Sequence, residues 1–178
     1  MPGGKHNQRG FTLIELIVVI ILVGIISVTA ASQMSGRSSF DAFVTRDQAI
    51  AIVRQIQITA MQATGSQRAN FPLKVISGTA DTSSCMGLIT GTACPARAVA
   101  DTSSRILLGD TSRVRFTLLN ASANTLYFDL LGRPVNSAGE RICDDGCQIN
   151  LQSRDNNTLS MCINREGFID EGGCEWSS

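Results

Sequence analysis

The stretch that decides the fold is FTLIELIVVIILVGIISVTAAS, at positions 11–32. It contains no proline, no basic residue and one acidic residue, Glu15. At the helical rise these 22 residues extend about 33 Å, which exceeds the roughly 30 Å of a bilayer core. Apolar side chains lie on every side of the helical wheel, so no polar face is left for water. The stretch therefore predicts a membrane-spanning helix whose single carboxylate marks a functional position.

A short polar segment precedes this helix. MPGGKHNQRG, at positions 1–10, carries Lys5, His6 and Arg9 and ends in glycine. In a secretory signal peptide the apolar region is short and a small-residue cleavage site follows it. Here no such site follows, and the polar part comes first. Because positively charged flanks stay in the cytoplasm, the sequence predicts a cytoplasmic leader and an extracytoplasmic remainder.

The junction of these two segments resembles the class III signal of type IV prepilins and type II secretion pseudopilins. The resemblance rests on RG-FTLIEL, at positions 9–16, together with the apolar stretch. It implies that a prepilin peptidase recognises the basic leader with Lys5 and Arg9. The same enzyme would cut between Gly10 and Phe11 and N-methylate Phe11. It further implies that Glu15 acts in assembly with other pilin or pseudopilin subunits and with the inner-membrane assembly machinery.

Simple electrostatics predicts the partner of Glu15. A free amine at residue 11 would lie at the same end of the helix as this carboxylate. Staggered stacking of subunits can place the carboxylate of one against the amine of the next. Removing one partner of such a buried pair costs about 3–5 kcal/mol. The alternative is a carboxylate that reaches water at the membrane edge.

Positions 33–65 predict an amphipathic continuation of the helix. Apolar residues recur at steps of three and four, as expected for one buried face; they are Ala49, Ile52, Val53, Ile56, Ala60 and Ala63. Gly65 is the predicted C-cap. Weak helix formers at 34–39 predict a bend or a local loss of helix between the two halves.

Positions 66–178 predict a β-rich extracytoplasmic domain. Apolar, β-branched and aromatic runs lie at 71–76, 114–119, 125–130, 148–151 and 158–163, separated by turn residues. Positions 77–104 are rich in Ser, Thr, Ala and Gly and are interpreted as a long loop. The predicted fold class is therefore α+β, with an antiparallel sheet against the helix. The resemblance specifies it as the type IV pilin fold.

Six cysteines, all in the β-rich part, predict disulfides. An even number of cysteines beyond an export signal is typical of an oxidising compartment. Fifteen pairings are open, and local spacing favours Cys85–Cys94, Cys143–Cys147 and Cys162–Cys174. A zinc site is the alternative, but the spacings C-x3-C and C-x11-C fit the usual C-x2-C pairs poorly.

Composition argues against several function classes. The net charge is zero, and without the leader it is about −2, which gives no basic footprint for nucleic acid. The C-terminal end is mostly acidic and should repel phosphate. The only histidine, His6, lies in the leader, so no Ser-His-Asp or Cys-His set can form. We expect no enzyme activity, no metal and no cofactor; the acidic segments 144–146 and 155–157 are interpreted as turns rather than calcium ligands.

The segment FDLLGRP, at positions 128–134, resembles an element of H-type pseudopilins and FimT-like minor pilins. Gly132 and Pro134 suit a turn, across which Asp129 and Arg133 are predicted to pair. Through residues 38–57 and the cysteine-rich end, the chain also resembles minor pilins of the mannose-sensitive haemagglutinin (MSHA) pilus.

This resemblance implies a minor pilus subunit that acts in pilus biogenesis, adhesion or surface attachment. The alternatives are a type II secretion pseudopilin that drives protein export and, with less support, a DNA-binding minor pilin. The implied location is the bacterial inner membrane, crossed once with the C-terminal domain in the periplasm, and then the pilus or pseudopilus fibre.

Overall fold

The computed structural model describes residues 12–34, 37–79, 82–96, 104–109, 114–121, 123–153 and 156–174. The chain divides into two units, Met1–Arg37 and Ser38–Ser178. Two helices and two antiparallel sheets make the fold α+β. The first unit contains helix α1, Leu13–Met34. Within the described ranges, no helix is both long enough and apolar enough to cross a membrane.

The predicted amphipathic segment forms helix α2, Arg37–Gln62. All six residues of the predicted apolar stripe are buried, with at most 7% of their surface exposed. Residues 35 and 36, in the predicted joint, lie outside the described residues. The helix ends at Gln62, before the predicted cap, and in its last turn the Ala63 N–H bonds both Thr59 O and Ala60 O. Gly65 then begins a short 3-10 helix, Gly65–Asn70, instead of capping α2.

The described residues after this segment form nine strands in two sheets. The first sheet contains β1 (Leu73–Ile76), β2 (Ser84–Leu88), β3 (Arg105–Leu108), β5 (Thr125–Phe128) and β6 (Pro134–Val135). Its strand order is β3-β2-β1-β5-β6. The second contains β4 (Val114–Leu119), β7 (Cys147–Ser153), β8 (Thr158–Ile163) and β9 (Ile169–Glu171), in the order β4-β7-β8-β9.

The core combines the stripe of α2 with the inner faces of both sheets. In the second sheet, Ile149 opposes Met161 and Leu151 opposes Leu159, so the predicted apolar faces of β7 and β8 coincide. The sheets are joined through the buried Ser84. Its hydroxyl accepts a hydrogen bond from Phe116 N at 2.9 Å and donates one to Ile76 O at 3.1 Å.

Parts of the β-sheet prediction are wrong, since four of the nine described strands, β2, β3, β6 and β9, lie outside the predicted apolar runs. The interpretation of 77–104 as a loop misses β2, which lies between β1 and β3. Because both faces of β2 are covered, it lacks the alternation that marks a half-buried strand. Leu130 does not share the buried face of Leu126 and Phe128; it is 54% exposed, because β5 ends at Phe128 and the chain turns.

Candidate functional site

Thr12 caps the start of α1. Its Oγ1 accepts a hydrogen bond from Glu15 N at 3.4 Å, and its carbonyl oxygen accepts one from the same amide at 3.1 Å. The spacing is that of a capping box, in which Ser or Thr precedes Glu by three residues. A carboxylate in the first turn also suits the positive end of the helix dipole. This cap by Thr12 was not predicted from sequence, although T-x-x-E before an apolar run signals it.

The Glu15 side chain is exposed, and none of the ion pairs within the described residues involves it. Lys5, Arg9, Gly10 and Phe11 lie outside the described residues. The predicted cleavage between Gly10 and Phe11, and the pairing of Glu15 with a terminal amine, therefore stay predictions.

The surface of α1 is apolar and open to its surroundings. Twelve large apolar side chains between positions 13 and 26 are 42–77% exposed. They are Leu13, Ile14, Leu16, Ile17, Val18, Val19, Ile20, Ile21, Leu22, Val23, Ile25 and Ile26. Covering one such side chain completely is worth about 1.5–3 kcal/mol. A continuous apolar surface of this extent marks contact with lipid or with other protein.

All six cysteines are paired, in the three pairs that local spacing favours. The first disulfide joins β2 to the following loop, the second closes the turn before β7, and the third joins β8 to the chain after β9. The sequence separations of 9, 4 and 12 residues are short. In the chain-entropy account, each disulfide therefore stabilises the folded chain by about 2–3 kcal/mol. Gly146, in the second loop, packs on the third disulfide, because a Cβ there would lie 2.6 Å from Cys174 Sγ.

The pairing of the cysteines leaves no thiolate for the zinc alternative. Within the described ranges, no group of three or more His, Cys, Asp or Glu residues is arranged to hold a metal ion. Asp144, from one predicted turn, pairs with Arg165 at 3.3 Å. Asp155, from the other, lies outside the described residues.

The FDLLGRP segment forms a turn that Asp129 holds together. Its Oδ1 accepts hydrogen bonds from the backbone amides of Leu131 and Arg133 at 2.8 and 2.9 Å. Its Oδ2 accepts one from Arg133 Nε at 2.7 Å, so the predicted pairing is present. Burial by itself raises the pKa of Asp129. The hydrogen bonds from Arg133 and the two amides outweigh it and hold that pKa below its usual value.

Two more turns repeat this arrangement, at Asn136 and Asn164. The side-chain oxygen of each Asn accepts hydrogen bonds from the amides two and four residues later, as Asp129 does. In all three turns a glycine with positive φ follows three residues after the Asp or Asn. This is a short hairpin loop with a left-handed third residue. The pattern [D/N]-x-x-G was visible in the sequence, but its repetition was not predicted.

Gln57 of α2 holds two of these turns against the helix. Its Nε2 donates to Gly132 O and to Gly167 O, both at 2.7 Å. The two carbonyls belong to the turns at Asp129 and Asn164. The side chain therefore fixes the ends of β5 and β8 relative to α2.

Acidic residues near the C-terminus form ion pairs with arginines from elsewhere in the chain. Glu166 pairs with Arg141, and Glu171 pairs with Arg46, each at 2.6 Å. The hydrogen bond from Arg141, supported by the charge of that arginine, holds the pKa of Glu166 below its usual value. Glu175 lies outside the described residues.

The comparisons with known proteins add one match. The family model described as the prokaryotic N-terminal methylation motif matches residues 5–31. This span covers the predicted cleavage site, Glu15 and most of α1. It supports a pilin-like or pseudopilin protein, and such a motif implies processing by prepilin peptidase and assembly with other pilins. No curated protein and no solved structure matches the chain.

Proposed function

We propose that this type IV pilin-like or pseudopilin chain is a minor subunit of a bacterial type IV pilus of the MSHA kind, similar to its C subunit. It acts in pilus biogenesis, adhesion or surface attachment. The observation that carries the proposal is the apolar, open surface of α1, which begins inside the methylation motif. In this proposal the surface is covered first by lipid and then by the helices of other subunits.

The proposed sequence of events starts in the inner membrane. Lys5 and Arg9 keep the leader in the cytoplasm while residues 11–32 cross the bilayer once. Prepilin peptidase cuts after Gly10 and methylates Phe11. The disulfide-containing domain, residues 66–178, folds in the periplasm on the amphipathic helix and adopts the type IV pilin fold.

Glu15 guides the transfer into the fibre. Its carboxylate pairs with the methylated amine of Phe11 on a neighbouring subunit, since each charge needs the other once water is excluded. The cap formed by Thr12 stabilises the start of α1. The charge of Glu15 and the cap at Thr12 can be changed one at a time, because the cap uses the backbone amide of Glu15 and not its side chain.

A type II secretion pseudopilin is the second candidate, because it shares every N-terminal feature. Three disulfides within the outer domain favour the pilus, since a fibre outside the cell gains from covalent links that resist unfolding. Deletion distinguishes the two: loss of pili with normal protein export supports the pilus, and loss of export with normal pili supports the secretion system.

The test of the assembly mechanism compares three variants in the native cell. Glu15→Ala and Glu15→Gln should be processed and inserted normally, yet their ratio of fibre to membrane pool should fall about a hundredfold or more, as 3–5 kcal/mol implies. Thr12→Ala is the control, because it removes the side-chain cap and keeps the charge. Wild-type incorporation of both Glu15 variants would refute the ion pair. Failure of Gly10→Leu to accumulate as uncut precursor would refute the processing step.

A further inference from the structure

Met61 is an exposed methionine at the end of α2. Its side chain is 40% exposed, whereas Met86 and Met161 are completely buried in the core. A methionine thioether reacts with peroxides to give the sulfoxide, and the reaction requires access to the sulfur. All six cysteines are bound in disulfides, so no thiol competes for the oxidant. Among the described side chains of the unit 38–178, Met61 therefore carries the sulfur that a peroxide should oxidise first.

The sulfur of Met61 lies beside the amide that holds two turns against α2. Met61 follows Gln57 by four residues, so the two side chains are neighbours on one face of the helix. Met61 Sδ and Gln57 Nε2 each lie 3.0 Å from the place that a Cβ on Gly132 would take. Because both distances end at the same point, the two atoms are separated by at most twice this distance. The thioether and the amide thus pack on the same turn.

Oxidation changes the hydrogen bonding that this sulfur can take part in. A thioether is a weak acceptor, whereas the sulfoxide is polar and its oxygen accepts hydrogen bonds well. Gln57 Nε2 has two hydrogens, and Gly132 O and Gly167 O accept both of them at 2.7 Å. A sulfoxide oxygen on Met61 competes for one of these hydrogens, since the three rotatable bonds of the side chain let it approach the amide.

We propose that Met61 is a reversible oxidation site, at which conversion of the thioether to the sulfoxide loosens the turns at Asp129 and Asn164 from α2. With hydrogen peroxide as the oxidant, the O–O bond breaks and one oxygen bonds to the sulfur, which loses two electrons. The other oxygen leaves as water. Methionine sulfoxide reductases catalyse the reversal, in which two thiols become a disulfide and the sulfoxide oxygen leaves as water.

This inference goes beyond the proposed function and does not depend on it. It requires the folded domain and a peroxide, and neither processing at Gly10 nor assembly into a fibre enters the argument. The purified full chain in detergent is therefore sufficient for the test.

Peroxide titration followed by peptide mass spectrometry tests the site itself. Met61 should be oxidised about tenfold faster than Met86 and Met161, because these two are buried. The control variant is Met61→Leu, which removes the sulfur and keeps an apolar side chain of similar volume.

Hydrogen exchange measures the consequence of oxidation. The amides of Gly132 and Gly167 close the two turns onto Asp129 O and Asn164 O. In the chain oxidised at Met61, both amides should exchange about three- to tenfold faster, as the loss of one hydrogen bond implies. Methionine sulfoxide reductase with dithiothreitol should restore the original rates. Peroxide should leave the rates unchanged in Met61→Leu.

A second variant tests whether the effect acts through Gln57. In Gln57→Ala the hydrogen bonds for which the sulfoxide competes are already absent, so oxidation of Met61 should not accelerate exchange further at either amide. Equal acceleration with and without the Gln57 side chain would show that the sulfoxide acts by another route and would overturn the inference.

Two other results would also overturn it. One is oxidation of Met86 or Met161 as fast as that of Met61, and the other is full oxidation of Met61 with unchanged exchange at both glycines. Neither result bears on the proposed function, which is tested separately by processing at Gly10 and by incorporation into fibres.

Discussion

Removing the two hydrogen bonds of Gln57 should loosen both turns from α2. In the variant Gln57→Ala, Gly132 O and Gly167 O lose donors that lie 2.7 Å away. A neutral hydrogen bond contributes about 0.5–1.5 kcal/mol net, so the free energy of unfolding should fall by about 1–3 kcal/mol. For a chain of this size each kcal/mol lowers Tm by about 2–4 °C.

A variant with a side chain of the same shape tests whether the N–H donor of Gln57 is what matters. Gln57→Glu keeps the shape of the side chain but directs oxygen, in place of the N–H donor, at two carbonyl oxygens. We expect a larger loss than in Gln57→Ala, because the carboxylate is repelled as well as unpaired. The control is Gln55→Ala on the exposed side of α2, which should stay within about 0.5 kcal/mol of the wild type.

Urea unfolding of the full chain in detergent, followed by circular dichroism, measures these differences. Hydrogen exchange locates them, because the amides of Gly132 and Gly167 close the two turns onto Asp129 O and Asn164 O. Both amides should exchange faster in the Gln57 variants and not in Gln55→Ala. Equal stability of Gln57→Ala and Gln55→Ala, or a Gln57→Glu chain as stable as the wild type, would refute the role assigned to this side chain.

Three further predictions concern the turns and the disulfides. Gly167→Ala should be far more damaging to thermal stability than Gly139→Ala. Both residues have nearly the same positive φ, yet a Cβ at Gly167 overlaps Gly132 O whereas nothing lies within 4 Å at Gly139; equal losses would contradict this. Asp129→Asn should cost stability near pH 7. Because the pKa of Asp129 is lowered in the folded chain, its stabilisation is present above its unfolded pKa near 3.8 and is lost as pH falls through the folded value. The difference in free energy of unfolding between Asp129→Asn and the wild type should therefore shrink from pH 6 towards pH 3. A difference that stays constant over this range would contradict the prediction. Thiol labelling of the denatured, unreduced chain should detect no free cysteine, and two or more labelled cysteines would overturn the three-disulfide assignment.

Features formed by neighbours in sequence could be predicted from sequence. The buried stripe of α2 follows from helical period, and the Asp129–Arg133 pair spans four residues. The disulfides link cysteines at most 12 residues apart, so local spacing was enough to favour them. The apolar stretch and the residues around Gly10 likewise carry their information in one continuous segment, which is why the methylation motif can be recognised there.

Other features could be found only in the tertiary structure, because they depend on contacts between residues distant in sequence or on a strand that is buried on both faces. Strand β2 is hidden in a polar, glycine-containing segment, because both of its faces are buried and the usual alternation is therefore missing. In the sequence, Gln57 is an ordinary polar residue of a predicted helix. In the structure its side chain donates hydrogen bonds to backbone carbonyls of turns 75 and 110 residues away. The sequence by itself determined the apolar N-terminal helix with its methylation motif and the helix stripe, since these need only local order. The tertiary structure decided the surface of the domain, since burial and hydrogen bonding there depend on which segments the fold brings together.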